Sequence, residues 1–232
     1  MVNEPLSLSV IVPVLNEAAR LQSLLPGLVP GDAEILVVDG GSRDESVAVA
    51  AAVPGVKVVA GEAPRARQMN LGAAQARGQV LIFLHADSVP PPGFAGLIRE
   101  ALNDPAVIGG AFSLALDDHR MRARLVARGA NLRTWLTGHP YGDQAIFVRR
   151  QFFQELGGFR PWPFLEDLDF ASRLKGRGRL HLIPQAVTVS ARRWRAQGYL
   201  RTTWRNTVLA TWFYLGLDAA RFERWLAPHR EG

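Results

Sequence analysis

The chain contains no cysteine. Disulfides, thiolate metal sites and cysteine nucleophiles are excluded, and nothing calls for an oxidising compartment. A glycine-rich phosphate loop is also missing, since the first apolar run ends in Pro13-Val14-Leu15-Asn16-Glu17. That argues against a dinucleotide enzyme, an NTPase or a sugar-phosphate nucleotidyltransferase. No stretch reaches the ~20 apolar residues that span a bilayer; the longest, residues 208–217, is half that length. The first residues lack the basic start of a secretory leader, so a cytoplasmic protein is expected.

Lysine is scarce as well: only Lys57 and Lys175 stand among 27 basic residues. The net charge of +6 is unevenly spread. Residues 1–118 hold 7 Lys or Arg against 13 Asp or Glu, and residues 119–232 hold 20 against 8. A basic second half suits an anionic partner such as phosphates or an acidic membrane surface, or else a solvated face rich in arginine. A basic scaffold that does no chemistry is the non-enzymatic alternative, but no base-reading motif points to nucleic acid.

What is present is a full complement of core material, 48% hydrophobic residues with 21% charged, enough for one domain across 1–232. Apolar runs at 8–13, 34–39, 56–60 and 80–85 alternate with helical segments at 17–29, 43–53, 65–77 and 93–103. This pattern predicts buried parallel strands in an open α/β sheet flanked by helices, Rossmann-like and mostly parallel. Ser42 and Glu45 have the spacing of a capping box for the second helix. Beyond residue 105 the spacing predicts a strand over 107–116, a basic helix over 120–135, a strand over 145–149 and a helix over 166–175. An extended segment over 180–190 and a long aromatic helix over 199–217 complete it. Residues 1–118 then form one half, 119–195 a second, and 196–232 a C-terminal helical tail.

Ligands of open α/β sheets sit beyond the carboxyl ends of the strands. Asn16 and Glu17 stand at the first such end, where they either cap a helix or face a ligand. Asp39, followed by Gly40 and Gly41, either makes an Asx turn or offers its carboxylate to a base or ribose. His85 and Asp87 alternate onto one side of the fourth strand end, and both can bind a divalent cation. In the second half, Glu166-Asp167-Leu168-Asp169 opens a helix. The 3.6-residue repeat puts Asp167 in line with Ala171 and Leu174, at the top of an apolar face where desolvation would raise its pKa. The alternative is three acids complementing a helix dipole. His119, His139, His181 and His229 have no ligand spacing.

Taken together, SVIVPVLNE, VVDGGSRDES and RQMNLGAAQARGQVLIFLHAD over residues 8–87 resemble the nucleotide-binding half of glycosyltransferase family 2, of GT-A architecture. GDQAIFVRR, ELGGF and EDLDFASRLKGRG resemble that family's acceptor half. More narrowly, the chain resembles a small bacterial branch associated with arsenosugar biosynthesis. The resemblance implies an inverting sugar transfer from a nucleoside-diphosphate donor, with UDP the commonest nucleotide, to a small-molecule or lipid-linked hydroxyl. It implies a donor pocket of Pro13, Glu17, Asp39, Arg65, Arg67, His85, Asp87 and Arg193, the last from a basic-aromatic Arg-Trp pair.

Asp87 matches the last acid of the family's D-x-D motif, which holds Mn²⁺ or Mg²⁺ against the diphosphate. His85 replaces the first acid. Asp167 matches the catalytic base, Glu166 its orienting neighbour, and Asp143 and Gln144 the acceptor contacts. The last helix, with Trp204, Arg205, Trp212, Phe213 and Tyr214, would pack on the sheet, pair with a second subunit as a homodimer, or rest weakly on the inner face of a membrane.

Overall fold

The computed structural model describes residues 5–29, 31–162 and 164–215. Its strands are β1 (Leu8–Val14), β2 (Glu34–Asp39), β3 (Val56–Ala60), β4 (Val80–Phe83), β5 (Ser88–Val89), β6 (Val107–Leu116), β7 (Ile146–Arg149) and β8 (Arg179–Val189). Its helices are α1 (Ala18–Leu28), α2 (Ser46–Ala51), α3 (Arg65–Gln75), α4 (Phe94–Ala101), α5 (Met121–Thr137), α6 (Arg150–Glu155), α7 (Glu166–Lys175), α8 (Arg192–Gln197) and α9 (Tyr199–Tyr214). The expected tail beyond residue 215, His229 included, lies outside the described residues.

The strands form one sheet in the order β3-β2-β1-β4-β7-β6-β8-β5. β3, β2, β1 and β4 run parallel, as their apolar runs predict. β7 joins β4 and β6 antiparallel, and β8 returns parallel to β6. The expected open, mostly parallel sheet flanked by helices is therefore observed. Along β1 every residue is buried. Val10, Val12 and Val14 enter the core on one face while Ile11 enters the core on the other. A run with no polar alternation is what a strand covered on both faces requires.

Two local expectations are corrected. The apolar run of β3 predicts a buried strand, but β3 is the sheet edge, and only Val59 along it is buried. The Ser42/Glu45 capping box does not form: α2 starts at Ser46 with no side-chain cap on its Glu45 N-cap. The polar residues of that loop are drawn across to the neighbouring strand end instead. Ser42 Oγ accepts the Asn16 N–H at 2.9 Å and Ser46 Oγ accepts the Glu17 N–H at 2.8 Å. Asp44 accepts the Ala18 N–H at 3.1 Å, so α1 is capped from the loop after β2. The Ser46 hydroxyl, donating to the Asp44 carboxylate, and the Ala18 and Ser46 N–H groups hold the Asp44 pKa low.

Gly110 marks the tightest approach in the sheet. A Cβ there would lie 1.9 Å from the His181 carbonyl oxygen on β8, so no larger residue fits between β6, β7 and β8. Beneath the sheet, Phe83, Phe153, Phe159 and Phe170 pack ring on ring, with Phe83–Phe159 at 4.7 Å and Phe159–Phe170 at 4.5 Å. This cluster fixes α7 below the end of β4, bringing the acids of the second half to the strand ends of the first.

Candidate active site

The parallel strands β1, β2 and β4 all end on one edge, and the loops that follow form a crevice. Pro13 sits near the end of β1, fully buried. β4 leaves the ladder at Phe83, so the missing Pro13 N–H has no strand to serve. Asp39 closes β2 with its carboxylate accepting the N–H groups of Gly41 at 3.0 Å and Ser42 at 3.1 Å. The Asx turn is thus present, and both oxygens retain capacity for a further donor. Behind it the amide nitrogen of buried Gln68 donates to the Val14 and Val38 carbonyls at 2.7 and 2.8 Å, locking the two strand ends together. Nothing local in the sequence marks Gln68 for this role.

At the end of β4, His85 and Asp87 are half-buried. Burial, then the charges of Arg65 and Arg193, lower the His85 pKa well below its usual range, so the imidazole is neutral. Facing it is a single 3₁₀ turn over Gly142–Gln144. A Cβ on Gly142 would lie 2.9 Å from His85 Nε2 and 3.0 Å from Asp167 Oδ2, so this glycine is wedged between the two. Its N–H donates to Asp167 Oδ2 at 2.5 Å, and the Leu168 N–H donates to Asp167 Oδ1 at 2.8 Å. The sequence-distant Asp167 is thereby fixed opposite the β4 end.

Asp143, next in the turn, is the carboxyl most perturbed. Burial raises its pKa to about 6; Asp167 and Asp87 add to the rise, and Arg133 and Arg193 oppose it. Three carboxylates and two guanidiniums therefore share one field. Burial also raises Glu17, with Asp87 adding and Arg20 and Arg192 opposing. Tyr141 carries the Arg133 guanidinium 3.4 Å over its ring, and burial pushes its pKa to about 12. Arg133 and Tyr141 lie on a helix and a loop with no motif of their own, and Arg192 joins the site from the basic stretch beside Arg193.

The expected residues divide. Glu17, Asp39, Arg65, His85, Asp87, Asp143, Glu166, Asp167 and Arg193 come to the crevice or its rim. Glu166 is buried and faces Arg65 at 3.9 Å. Arg67 does not come: two residues on from Arg65 it points elsewhere on α3, exposed and paired with Glu62 at 3.2 Å. Gln144 was expected to touch an acceptor, but it is fully buried. Its oxygen accepts from Thr134 Oγ1 at 2.8 Å and the Tyr141 N–H at 3.1 Å, and its nitrogen donates to the Phe112 carbonyl at 3.2 Å. Gln144 holds the turn from behind.

On α7, Asp167 was placed at the head of the apolar face with Glu166 and Asp169 beside it. The order is reversed: Glu166 and Asp169 are buried and Asp167 is half-exposed to the crevice. Asp169 is held by Arg160 at 3.0 Å and Arg173 at 2.8 Å.

Among the described residues, three outside glycine have positive φ: Asn16 (56°), Ala145 (49°) and Leu165 (59°). Each adjoins a crevice segment, one beside Glu17, one after the Gly142–Gln144 turn and one before Glu166. Backbone held out of its favoured regions at a ligand crevice is a mark of imposed side-chain geometry.

Among the described residues no cluster of three or more His, Cys, Asp or Glu could by itself hold a metal ion. Asp87 offers one carboxylate at this strand end, a donor that fits a hard cation whose remaining ligands come from diphosphate oxygens and water.

Comparison with known proteins gives a consistent picture. The sequence model for "Glycosyl transferase family 2" matches residues 9–157. An uncharacterized protein of Mycobacterium tuberculosis, MT1568, is 30% identical over 254 residues, covering 94% of this chain and 75% of that one. The undecaprenyl-phosphate 4-deoxy-4-formamido-L-arabinose transferase of Pseudomonas aeruginosa is 33% identical over 164 residues, covering 64% of this chain and 48% of its own. The chain thus spans about half the length of that relative.

Two solved structures share the fold at low identity. S. aureus TarS 1–349 in complex with UDP-GlcNAc has a TM-score of 0.63 at 16% identity, over 79% of this chain and 58% of that one. The mannosyltransferase PcManGT of Pyrobaculum calidifontis, in complex with GDP-Man and Mn²⁺, has a TM-score of 0.60 at 20% identity, over 89% and 65%.

Proposed function

Since the chain belongs to glycosyl transferase family 2, and is a glycosyltransferase of GT-A architecture, we propose that its crevice moves a sugar from a nucleoside-diphosphate donor to a hydroxyl acceptor with inversion. One observation carries this reading: Gly142 is wedged between His85 on the donor side and Asp167 on the acceptor side. The two side chains so brought close give the crevice a leaving-group stabiliser at one end and a carboxylate base at the other.

Asp39, Pro13 and Glu17 line the nucleotide end of the crevice. Asp87, beside His85 in the donor pocket, would hold Mn²⁺ or Mg²⁺ there together with diphosphate oxygens and water, and the bound ion would supply Lewis-acid charge to the departing diphosphate. Arg65 and Arg193 act on the same oxygens, adding fixed positive charge without reorganisation. Asp167 takes the acceptor hydroxyl proton as that oxygen bonds to the anomeric carbon. The bond from that carbon to the diphosphate oxygen breaks, and its electron pair leaves with the diphosphate. Glu166, set against Arg65, keeps the helix start and the donor-side cation in register. Asp143 stands beside the acceptor and shapes the field at Asp167.

The relatives support the class of donor, since one neighbour binds UDP-GlcNAc and another GDP-Man. UDP is the nucleotide proposed here, with a small-molecule or lipid-linked acceptor, in a cytoplasmic protein of the arsenosugar-associated branch that the sequence resembles. Calorimetric titration with UDP and GDP, with and without Mn²⁺, tests the donor site. Metal-assisted binding of one nucleotide is expected, weakened at least about tenfold in Asp87→Ala. Equal binding by that variant would remove Asp87 from the donor site.

A further inference from the structure

Helix α5 is turned inside out. The residues it buries are Ala123, Ala127 and Thr134. Its large apolar side chains, Met121, Leu125, Leu132, Trp135 and Leu136, all point to solvent, with Trp135 71% and Leu136 66% exposed. At 3.6 residues per turn those five fall on one stripe, roughly opposite the buried residues. A helix of a water-soluble surface has the reverse arrangement, and a contiguous apolar stripe of this size marks a contact surface.

The charges beside the stripe choose the partner. Residues 121–137 contain four arginines and no acidic residue. Arg124 borders the stripe and Arg128 stands within it beside Trp135; both are exposed, and among the described residues neither has an acidic partner. Arg122 and Arg133 lie on the other flank, over the rings of Tyr199 and Tyr141 at 4.8 and 3.4 Å. Two copies meeting through this face would set arginine against arginine. A bilayer surface carrying anionic lipid accepts the apolar stripe at the headgroup boundary and neutralises the flanking arginines, with Trp135 at the depth that indole favours.

We infer that α5 docks lengthwise on an anionic bilayer surface. The crevice then faces that surface from close by, because Arg133 of α5 reaches the Tyr141 ring and bears on Asp143. Among the described residues no helix is long and apolar enough to cross a membrane. The inference does not depend on the transfer reaction proposed above, and its test reads binding alone.

Flotation with phosphatidylcholine vesicles, with and without phosphatidylglycerol, at low and high salt, is the experiment. The full chain is expected to float with the anionic vesicles, less at high salt, and to stay down with phosphatidylcholine alone. Trp135→Ser with Leu136→Ser, and separately Arg124→Gln with Arg128→Gln, should each weaken binding at least about tenfold. All four positions are exposed, so both variants should keep the wild-type circular dichroism. Absence of flotation, or equal flotation by both variants, overturns the inference. So does a dimer in light scattering that the serine variant converts to monomer, which would assign the stripe to a second copy.

Discussion

Asp167→Asn is expected to lower kcat about a thousandfold while leaving donor affinity nearly unchanged. The carboxylate is held by the Gly142 and Leu168 N–H groups at 2.5 and 2.8 Å. Asparagine can keep both contacts through its carbonyl oxygen only in part, and it cannot take a proton at neutral pH. Among the described residues the Asp167 carboxylate is hydrogen-bonded to Gly142 and Leu168 and not to the loops after β1 and β2, so a nucleotide bound there is not expected to sense the change. Single-turnover measurement of transfer, beside titration of the donor, separates the two effects. A variant that retains turnover would move the base elsewhere, and Asp143 would be the first carboxylate to examine.

Asp143→Asn should stabilise the protein at pH 7.5 while impairing transfer. Burial, with Asp167 and Asp87 adding, lifts this carboxyl from 3.8 to about 6. The folded chain therefore binds that proton more tightly than the unfolded chain does. Its contribution to stability is full below about pH 4 and is lost as pH rises through about 6. Above that, an ionised carboxylate sits among two others at a cost of roughly 1–2 kcal/mol, allowing for its partial access to water.

Asparagine removes the cost, so urea unfolding at pH 7.5 without added metal should show the variant more stable by about that amount. At pH 4 the difference should vanish. Equal stability at both pH values would show that Asp143 carries no such burden. Residues kept at a cost to stability belong with function rather than with folding.

Much of this site was legible because strands announce their own ends. Asp39 and the His85–Asp87 pair each follow an apolar run, and the carboxyl end of a buried strand is where an open sheet places its ligands. Asp167 needed the resemblance, since its helix start reads equally well as three acids on a dipole. The misread residues show what sequence spacing leaves out. Arg67 could have been dropped on helix geometry alone, being two residues from Arg65. Gln144 could not: only tertiary packing against Phe112 and Thr134 turns its amide inward. Arg133 and Gln68 had no signal, because each acts across more than a helix turn, on a strand end or loop that the fold alone brings near. The capping of α1 by Asp44 escaped for the same reason.

The most direct test is a crystal structure of the protein with UDP and Mn²⁺. The nucleotide is expected in the crevice after β1, β2 and β4, its uridine within hydrogen-bonding reach of Asp39. The ion should lie on Asp87, and the diphosphate should point at Gly142. A nucleotide bound elsewhere, or one bound there with its diphosphate directed away from Asp87, would contradict the account.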